Sequence, residues 1–230
     1  MQTYCKISCG SLVLSILFLM LEACGHDGGS PIPTPAASGF VYVSNFSTND
    51  VSAFTINTTT GGLTTVPGSP FQAGENSSSI AVDPSGQFVY VSNNGSNNVS
   101  ASTIDIKGAL IPVDGSPFAA GFGPTSLTVD PSGKFVYVAN FFSNNVSAFT
   151  INASKGVLTP VGGSPFAAVN NSGSVAVDPS AQFVYVTNFS ANNISAYTIN
   201  TSTGALTPVE GSPFAAGEAP ADVTTTRTIQ

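Results

Sequence analysis

The sequence predicts an all-β fold: a β-propeller of four four-stranded antiparallel blades of about 48 residues each, with a terminal strand closing the first blade. Two motifs keep the same period. Phe-Val-Tyr-Val begins at Phe40, Phe88, Phe135 and Phe183, at spacings of 48, 47 and 48 residues. Gly-Ser-Pro-Phe begins at Gly68, Gly115, Gly163 and Gly211. No segment shows sustained helical periodicity, so strands must supply the core.

Each repeat contains four short strand signals separated by turn residues. In the second repeat these signals cover residues 79–82, 88–91, 99–104 and 109–113. Asp83-Pro-Ser-Gly86 separates the first two, and its proline presets the backbone for a type I turn that the aspartate caps. Four antiparallel strands in a repeat of this length are typical of a propeller blade.

The Phe-Val-Tyr-Val strand is apolar at every position. A sheet with one wet face would alternate apolar and polar residues, so both faces of this strand should be covered. Blades sandwiched between their neighbours meet that requirement, which favours the propeller over a single exposed sheet.

The two ends of the repeat region are incomplete in complementary ways. The first repeat begins at Phe40 and lacks the inner strand that precedes Phe-Val-Tyr-Val elsewhere. Residues 221–226 align with that missing strand, so we expect them to pair beside residues 40–43 and join the ends. A four-bladed ring, an open arc and a ring completed by a second chain all remain compatible with the repeat count.

The N-terminus predicts an exported lipoprotein. Residues 12–21 are apolar but span only about 15 Å as a helix, too short for a bilayer core of about 30 Å. Residues 1–23 are therefore interpreted as a signal peptide, and Leu21-Glu-Ala-Cys24 resembles a bacterial lipobox. Cys24 is the predicted lipid attachment site, residues 24–38 a flexible tether, and residues 39–230 the propeller. The predicted location is the cell envelope, outside the cytoplasm: outer membrane, periplasm or surface.

Four tetrapeptides in the repeats carry a resemblance to a known family. Tyr185-Val-Thr-Asn188 is the motif that names the YVTN-repeat propellers, and variants begin at Tyr42, Tyr90 and Tyr137. The chain resembles the lactonase-like propellers related to 6-phosphogluconolactonase, which have seven blades. This resemblance implies the fold over residue 39 to the end, and a sugar-lactone hydrolase as one activity.

The ionisable residues identify no catalytic site. The only histidine, His26, lies in the tether, and the only arginine is Arg227. Lactonase-like propellers are thought to use His, Arg and Glu in a central cleft, and no position here matches such a set. No metal-ligand spacing occurs, so neither a metal nor another cofactor is predicted. A net charge of −7 without a basic patch argues against nucleic acid as a partner.

A repeated loop between the second and third strands is the candidate binding face. The selected residues are Asn45, Phe46, Asn93, Asn140, Phe141, Phe142, Asn188 and Phe189. Aromatic faces beside amides suit a carbohydrate or protein ligand, although the same residues also suit a turn with a phenylalanine filling the gap between blades. Three functions stay open: an envelope binding or scaffold module held to the membrane by its lipid anchor, a lactonase-like hydrolase, and a partial propeller completed by another chain, including a second copy.

Overall fold

The computed structural model describes residues 39–227. The predicted signal peptide, the lipid attachment at Cys24 and the tether lie outside the described residues. Between residues 39 and 227, no helix is long and apolar enough to cross a membrane.

Four antiparallel sheets follow one another along the chain. Sheet 1 contains β1 (Phe40–Asn45), β2 (Asp50–Ile56), β3 (Leu63–Thr65) and β4 (Phe71–Gln72). Sheet 2 contains β5 (Ser77–Val82), β6 (Phe88–Asn93), β7 (Asn98–Ile104), β8 (Leu110–Pro112) and β9 (Phe118–Ala119). Sheet 3 contains β10 (Pro124–Val129), β11 (Phe135–Asn140), β12 (Asn145–Ile151), β13 (Leu158–Pro160) and β14 (Phe166–Ala167). Sheet 4 contains β15 (Ser172–Val177), β16 (Phe183–Asn188), β17 (Asn193–Ile199), β18 (Leu206–Pro208) and β19 (Phe214–Ala215), with a 3₁₀ turn at Phe189–Ala191.

The strand order repeats from sheet to sheet. In sheet 2 the order is β5-β6-β7-β8, and β9 also pairs with β7; sheets 3 and 4 follow the same plan. We call β5, β10 and β15 the inner strands. Sheet 1 has no inner strand among the described residues and consists of β1-β2-β3 with β4 on β2. The predicted all-β fold of four antiparallel repeats is confirmed at this level.

The fourth predicted strand, residues 109–113 in the second repeat, corresponds to β8, and an additional short strand, β9, begins at the phenylalanine of the Gly-Ser-Pro-Phe motif. Between β8 and β9, Ser116 Oγ accepts a hydrogen bond from Ala101 N at 2.9 Å. Ser69, Ser164 and Ser212 accept from Ala53, Ala148 and Ala196 at the same distance. The serine hydroxyl thus replaces a main-chain acceptor where the strand is interrupted, before a proline that has no N–H to donate.

The Asp-Pro-Ser turns also have a structural explanation. Asp83 Oδ1 accepts from the backbone nitrogens of Gln87 and Phe88 at 2.9 and 2.8 Å, and Oδ2 accepts from Ser85 N at 3.0 Å. Asp130 and Asp178 make the same bonds in the next two repeats. These carboxylates cap the turn that leads into the Phe-Val-Tyr-Val strand.

Hydrophobic cores lie between consecutive sheets. One core joins residues of sheets 2 and 3, a second joins sheets 3 and 4, and a smaller one joins sheets 1 and 2. Every residue of β6 and β11 is buried, as expected for strands covered on both faces. β1 is less covered: Val43 is 42% exposed, whereas its equivalents Val91, Val138 and Val186 are at most 3% exposed.

A tyrosine–glycine contact links each sheet to the next. The tyrosine hydroxyls of the central strands donate to glycine carbonyls 66 or 67 residues later: Tyr42 to Gly108 at 2.9 Å, Tyr90 to Gly156 at 3.1 Å, and Tyr137 to Gly204 at 3.1 Å. Each glycine has a positive φ, and a Cβ on it would come within 2.3–2.5 Å of a phenylalanine ring of the preceding sheet. Glycine is therefore required for the close approach of neighbouring sheets.

The prediction that residues 221–226 close the first blade is wrong in this structure. This C-terminal segment forms no strand and does not pair with β1, whose partner among the described residues is β2. It lies instead beside β15, where Val223 N donates to Ser174 Oγ at 3.4 Å and Thr225 Oγ1 donates to Val177 O at 2.9 Å. The bond from Val223 N to Ser174 Oγ has two equivalents between consecutive inner strands. Val175 N donates to Ser126 Oγ, and Leu127 N donates to Ser79 Oγ, both at 3.3 Å.

The C-terminal segment thus takes the place of an inner strand that would follow β15. The physical reason is geometric. The cores between sheets set the rotation from one sheet to the next, and after four sheets this rotation has not brought the segment back to β1. Residues 39–227 therefore do not close into a four-bladed ring by themselves, which leaves the open arc and the ring completed by a second chain as the two remaining possibilities.

Candidate functional site

The four asparagines of the candidate binding face are tied into their own sheets. Asn93 Nδ2 donates to Asn98 Oδ1 at 2.7 Å and to Ser100 Oγ at 2.9 Å. Asn45, Asn140 and Asn188 make the corresponding pairs of bonds across their hairpins at 2.6–2.9 Å. Asn93, Asn140 and Asn188 are completely buried. The repeated asparagine therefore anchors the hairpin between the second and third strands, and its amide nitrogen faces the protein and not a ligand.

The amide oxygens of these asparagines differ between sheets. Asn93 Oδ1 accepts from Gly74 N at 3.0 Å and from Ser77 Oγ at 3.3 Å. Within residues 39–227, the buried Oδ1 atoms of Asn140 and Asn188 have no hydrogen-bond partner. The anchoring bond of the amide nitrogen is common to all four sheets, whereas the acceptor side varies with the connecting loop.

Three of the candidate phenylalanines do come together, and a fourth ring joins them. The centroids of Phe141 and Phe142 are 5.2 Å apart at 87°, and Phe141 lies 6.3 Å from Phe189. Phe122 lies 5.4 Å from Phe142. We call Phe122, Phe141, Phe142 and Phe189 the aromatic ridge. Phe122, Phe142 and Phe189 are 59%, 55% and 41% exposed, an unusual accumulation of accessible aromatic surface.

Backbone hydrogen bonds hold the ridge in place. Phe141 N donates to Gly123 O at 2.8 Å, and Phe142 N donates to Phe122 O at 3.1 Å, which joins the loop after β11 to the connection before β10. Phe189 N donates to Asn171 O at 2.9 Å. The rings therefore stand on loops that are bonded to one another, and the surface they present is preformed.

Sequence reasoning missed Phe122. It lies in Ala120-Gly-Phe-Gly123, in the connection between two repeats, where the equivalent residues of the first and last repeats are Glu75 and Glu218. Connections between repeats share one face with the hairpin loops, and that rule was sufficient to identify it.

Phe46, the remaining aromatic candidate, stands apart from the ridge. It is 53% exposed and forms no ring pair within the described residues. It lines an open cleft of about 620 Å³ with Asn45, Asp50 and Pro70 among its neighbours. The loop of sheet 2 has Asn94 and Gly95 at the corresponding place, which interrupts the row of aromatic residues between sheets 1 and 3.

The acidic residues do not gather. Glu75 and Glu218 are exposed at separate connections, and Asp222 accepts a hydrogen bond from Ser174 Oγ at 2.5 Å. Burial disfavours ionisation of Asp178, but hydrogen bonds from the Ser180 hydroxyl and the backbone of Phe183 outweigh it and lower the pKa of that carboxyl. In the part of the chain that the structure describes, no three His, Cys, Asp or Glu side chains form a group able to hold a metal ion.

The family model for the lactonase seven-bladed β-propeller matches residues 38–168, more than half of the chain. The chain belongs to this lactonase family. The four antiparallel sheets of residues 39–227 are consistent with the propeller fold of this family, whose model has seven blades. No curated protein matches the sequence.

Solved structures similar to this lactonase-family chain agree with that assignment. A proposed 6-phosphogluconolactonase from Bacteroides fragilis is 20% identical with a TM-score of 0.71, over 80% of this chain and 53% of that one. Another from Bacteroides uniformis is 19% identical with a TM-score of 0.70, over 79% and 52%. The periplasmic gluconolactonase of Pseudomonas aeruginosa is 18% identical with a TM-score of 0.66, over 80% and 52%. The chain spans about half the length of these proteins, and at such identities the likeness establishes the fold.

Proposed function

We propose that this chain is a lipid-anchored, extracytoplasmic binding module whose aromatic ridge takes a carbohydrate. The observation that carries the proposal is the run of ring contacts from Phe122 through Phe142 and Phe141 to Phe189, with three of these rings 41–59% exposed. Exposed, preformed aromatic surface of this kind is typical of interaction sites.

The surroundings of the ridge favour a neutral ligand with apolar C–H faces. The loops that carry the rings contain serine and asparagine and no charged side chain between residues 120–123, 141–145 or 189–193. A sugar ring offers such a face together with hydroxyl groups, whereas nucleic acid would require cations that these loops lack.

The ridge is tested by Phe142→Ala and Phe189→Ala, each with Phe46→Ala as a matched control. All three residues are exposed, but Phe46 lies outside the ridge. Binding to soluble envelope polysaccharides, measured by calorimetry, should weaken about fivefold for each ridge variant, since an aromatic contact contributes on the order of 1 kcal/mol. Equal binding by the ridge variants and Phe46→Ala would remove the ridge from the function. Retention of envelope proteins in place of glycans would assign it to a protein ligand.

The location is tested separately at Cys24. Replacing it by Ser should prevent incorporation of radiolabelled palmitate and release the domain from the membrane fraction, because the serine oxygen cannot form the thioether to diacylglycerol. Cys9→Ser is the control, since Cys9 belongs to the predicted signal peptide. A Cys24→Ser protein labelled as strongly as the unchanged chain would rule out this anchor.

Lactone hydrolysis is the second candidate, and the family match favours it. Asp222 is the acidic side chain to test, because it is hydrogen-bonded to an inner strand through Ser174. A general base of this kind would act on a water molecule near the lactone carbonyl. Hydrolysis of gluconolactone and of its 6-phosphate, lost in Asp222→Asn and kept in Glu75→Gln, would establish the activity. No rate above the spontaneous one would remove it.

A further inference from the structure

The link between consecutive sheets defines a socket and a plug. The socket is the phenylalanine and tyrosine of Phe-Val-Tyr-Val on one sheet, and the plug is the glycine of the hairpin between the third and fourth strands of the next sheet. Phe88 and Tyr90 receive Gly156 in this way: a Cβ on Gly156 would lie 2.3 Å from the Phe88 ring, and the Tyr90 hydroxyl donates to the glycine carbonyl at 3.1 Å. The same contact occurs three times along the chain.

A fourth socket, on sheet 4, is not filled by the described residues. It consists of Phe183 and Tyr185, both partly exposed, whereas Phe88, Tyr90, Phe135 and Tyr137 are at most 4% exposed. The Tyr185 hydroxyl makes no hydrogen bond within residues 39–227, and Tyr185 lines a cleft of about 400 Å³ together with Ile194 and residues 223–226.

A fourth plug, on sheet 1, is equally free. Gly61 occupies the position of Gly108, Gly156 and Gly204 and has the same left-handed backbone, with φ of +72°. A Cβ on Gly61 would meet nothing within 4 Å, whereas on the other three it would strike a phenylalanine ring. Within residues 39–227, the arc therefore has an empty socket at one end and an unused plug of the same kind at the other.

The inner strands show the same complementarity. The C-terminal segment stands beside β15 in the position of an inner strand and is paired with no sheet among the described residues, and β1 has a partly exposed edge where an inner strand pairs in every other sheet. Unpaired edges of this kind readily accept another strand.

We propose that two copies of the chain associate head to tail into one closed ring. Tyr185 of each copy donates to the carbonyl of Gly61 in the other, Phe183 covers that glycine, and the C-terminal segment pairs with β1 of the other copy. The interface continues a contact that the chain already makes three times within itself, so it needs no new complementarity. A single copy spans about half the length of the solved structures that it resembles, and two copies give eight sheets, within the range of known propellers. Head-to-tail contacts form a closed ring when the rotations from each copy to the next add up to a full turn.

The test compares Gly61→Asn with Gly133→Asn by sedimentation of the mature protein in mild detergent. Asparagine tolerates a left-handed backbone, and the two glycines have φ of +72° and +70°. At Gly133 the new Cβ makes ordinary contacts with Pro84 at 3.6 Å, whereas at Gly61 it would strike Phe183 of the second copy. The unchanged chain and Gly133→Asn should sediment as two copies, and Gly61→Asn as one, with a circular dichroism spectrum that shows the strands of the single copy intact.

Tyr185→Arg blocks the socket without touching the plug and should also give single copies. Mixing Gly61→Asn with Tyr185→Arg brings one intact socket together with one intact plug, so pairs should form again, more weakly than in the unchanged chain. A single-copy mass for the unchanged protein at micromolar concentration, a mass above two copies, or failure of the mixture to pair would each overturn the proposal.

Discussion

The serine of each Gly-Ser-Pro-Phe motif has a hydrogen-bonding role that the spacing of the motif does not predict. In each repeat its hydroxyl accepts a hydrogen bond from the backbone N–H of an alanine in the third strand. These four alanines are only 0–2% exposed: Ala53, Ala101, Ala148 and Ala196. A buried N–H without an acceptor is costly, so the motif is a hydrogen-bonding device at the strand break.

Ser116→Ala should lower the free energy of unfolding by about 1–3 kcal/mol, because Ala101 N loses its acceptor. Ser202→Ala is the control, since Ser202 is exposed and its hydroxyl makes no hydrogen bond among the described residues. Urea unfolding followed by circular dichroism measures both. An equal change in the two variants would contradict this role for Ser116.

The tyrosines that link the sheets predict a limit to stability at high pH. Burial, and then the negative charge of Asp105, raise the pKa of Tyr42 to about 12, and burial raises the pKa of Tyr90 and Tyr137 in the same direction. In the unfolded chain tyrosine has a pKa of about 10. The contribution of these neutral phenols is therefore complete below about pH 10 and is lost as the pH rises towards 12.

Denaturant unfolding between pH 8 and pH 12 should show this loss, and Tyr42→Phe should reduce the steepness of the decline, because one titrating group is removed. A free energy of unfolding that stays constant up to pH 12 would show that the neutral phenols do not contribute to stability.

At the scale of elements, the loop before β10 and the loop after β11 behave as one unit. Gly123 has a φ of +68°, and a Cβ there would lie 2.3 Å from Phe142 Cδ2. The glycine therefore sets the position of the Phe142 ring, and the geometry of the aromatic ridge depends on it.

Gly123→Ala should displace the Phe142 ring and weaken glycan binding by about as much as Phe142→Ala, since both remove the same contact from the ridge. Gly86→Ala, at φ of +71° in open space, controls for the backbone strain. Calorimetry measures the binding, and circular dichroism confirms that the strands remain. Unchanged binding in Gly123→Ala would show that the ridge tolerates a shifted ring.

The elements also show which parts of the structure could be predicted from sequence. The period, the inner strands and the Asp-Pro-Ser turns were predictable, because apolar runs and turn residues act locally. The additional strand β9 was not, because it follows a break at which the side chain of Ser116 takes the place of a backbone acceptor. The burial of Asn93 was missed for a similar reason. Asparagine in a loop suggests an accessible amide, whereas the amide nitrogen of Asn93 donates its hydrogen bonds within the hairpin.

At the scale of the whole molecule, the repeat count did not decide whether the sheets close into a ring. Alignment also could not show beside which sheet residues 221–226 lie. Alignment assigns the segment to an inner-strand position but does not distinguish the first sheet from one that would follow the fourth. That choice depends on the rotation between sheets, which the packing of cores such as Val136 and Val138 against Phe88 and Tyr90 fixes. Four nearly identical sheets form an arc, and an arc of this size has two ends that match.

The tyrosine–glycine links connect only nearest neighbours, and this has a consequence for how the arc opens. In such an array each sheet is stabilised by its contacts with adjacent sheets, so a sheet with two neighbours is more stable than one with a single neighbour. In the single-copy Gly61→Asn variant, amide protons of β6 and β11, whose residues are all buried, should exchange with deuterium slowest, and those of β1 fastest. The molecule would then fray from its outer sheets inward, and pairing of two copies would remove the ends from which fraying starts.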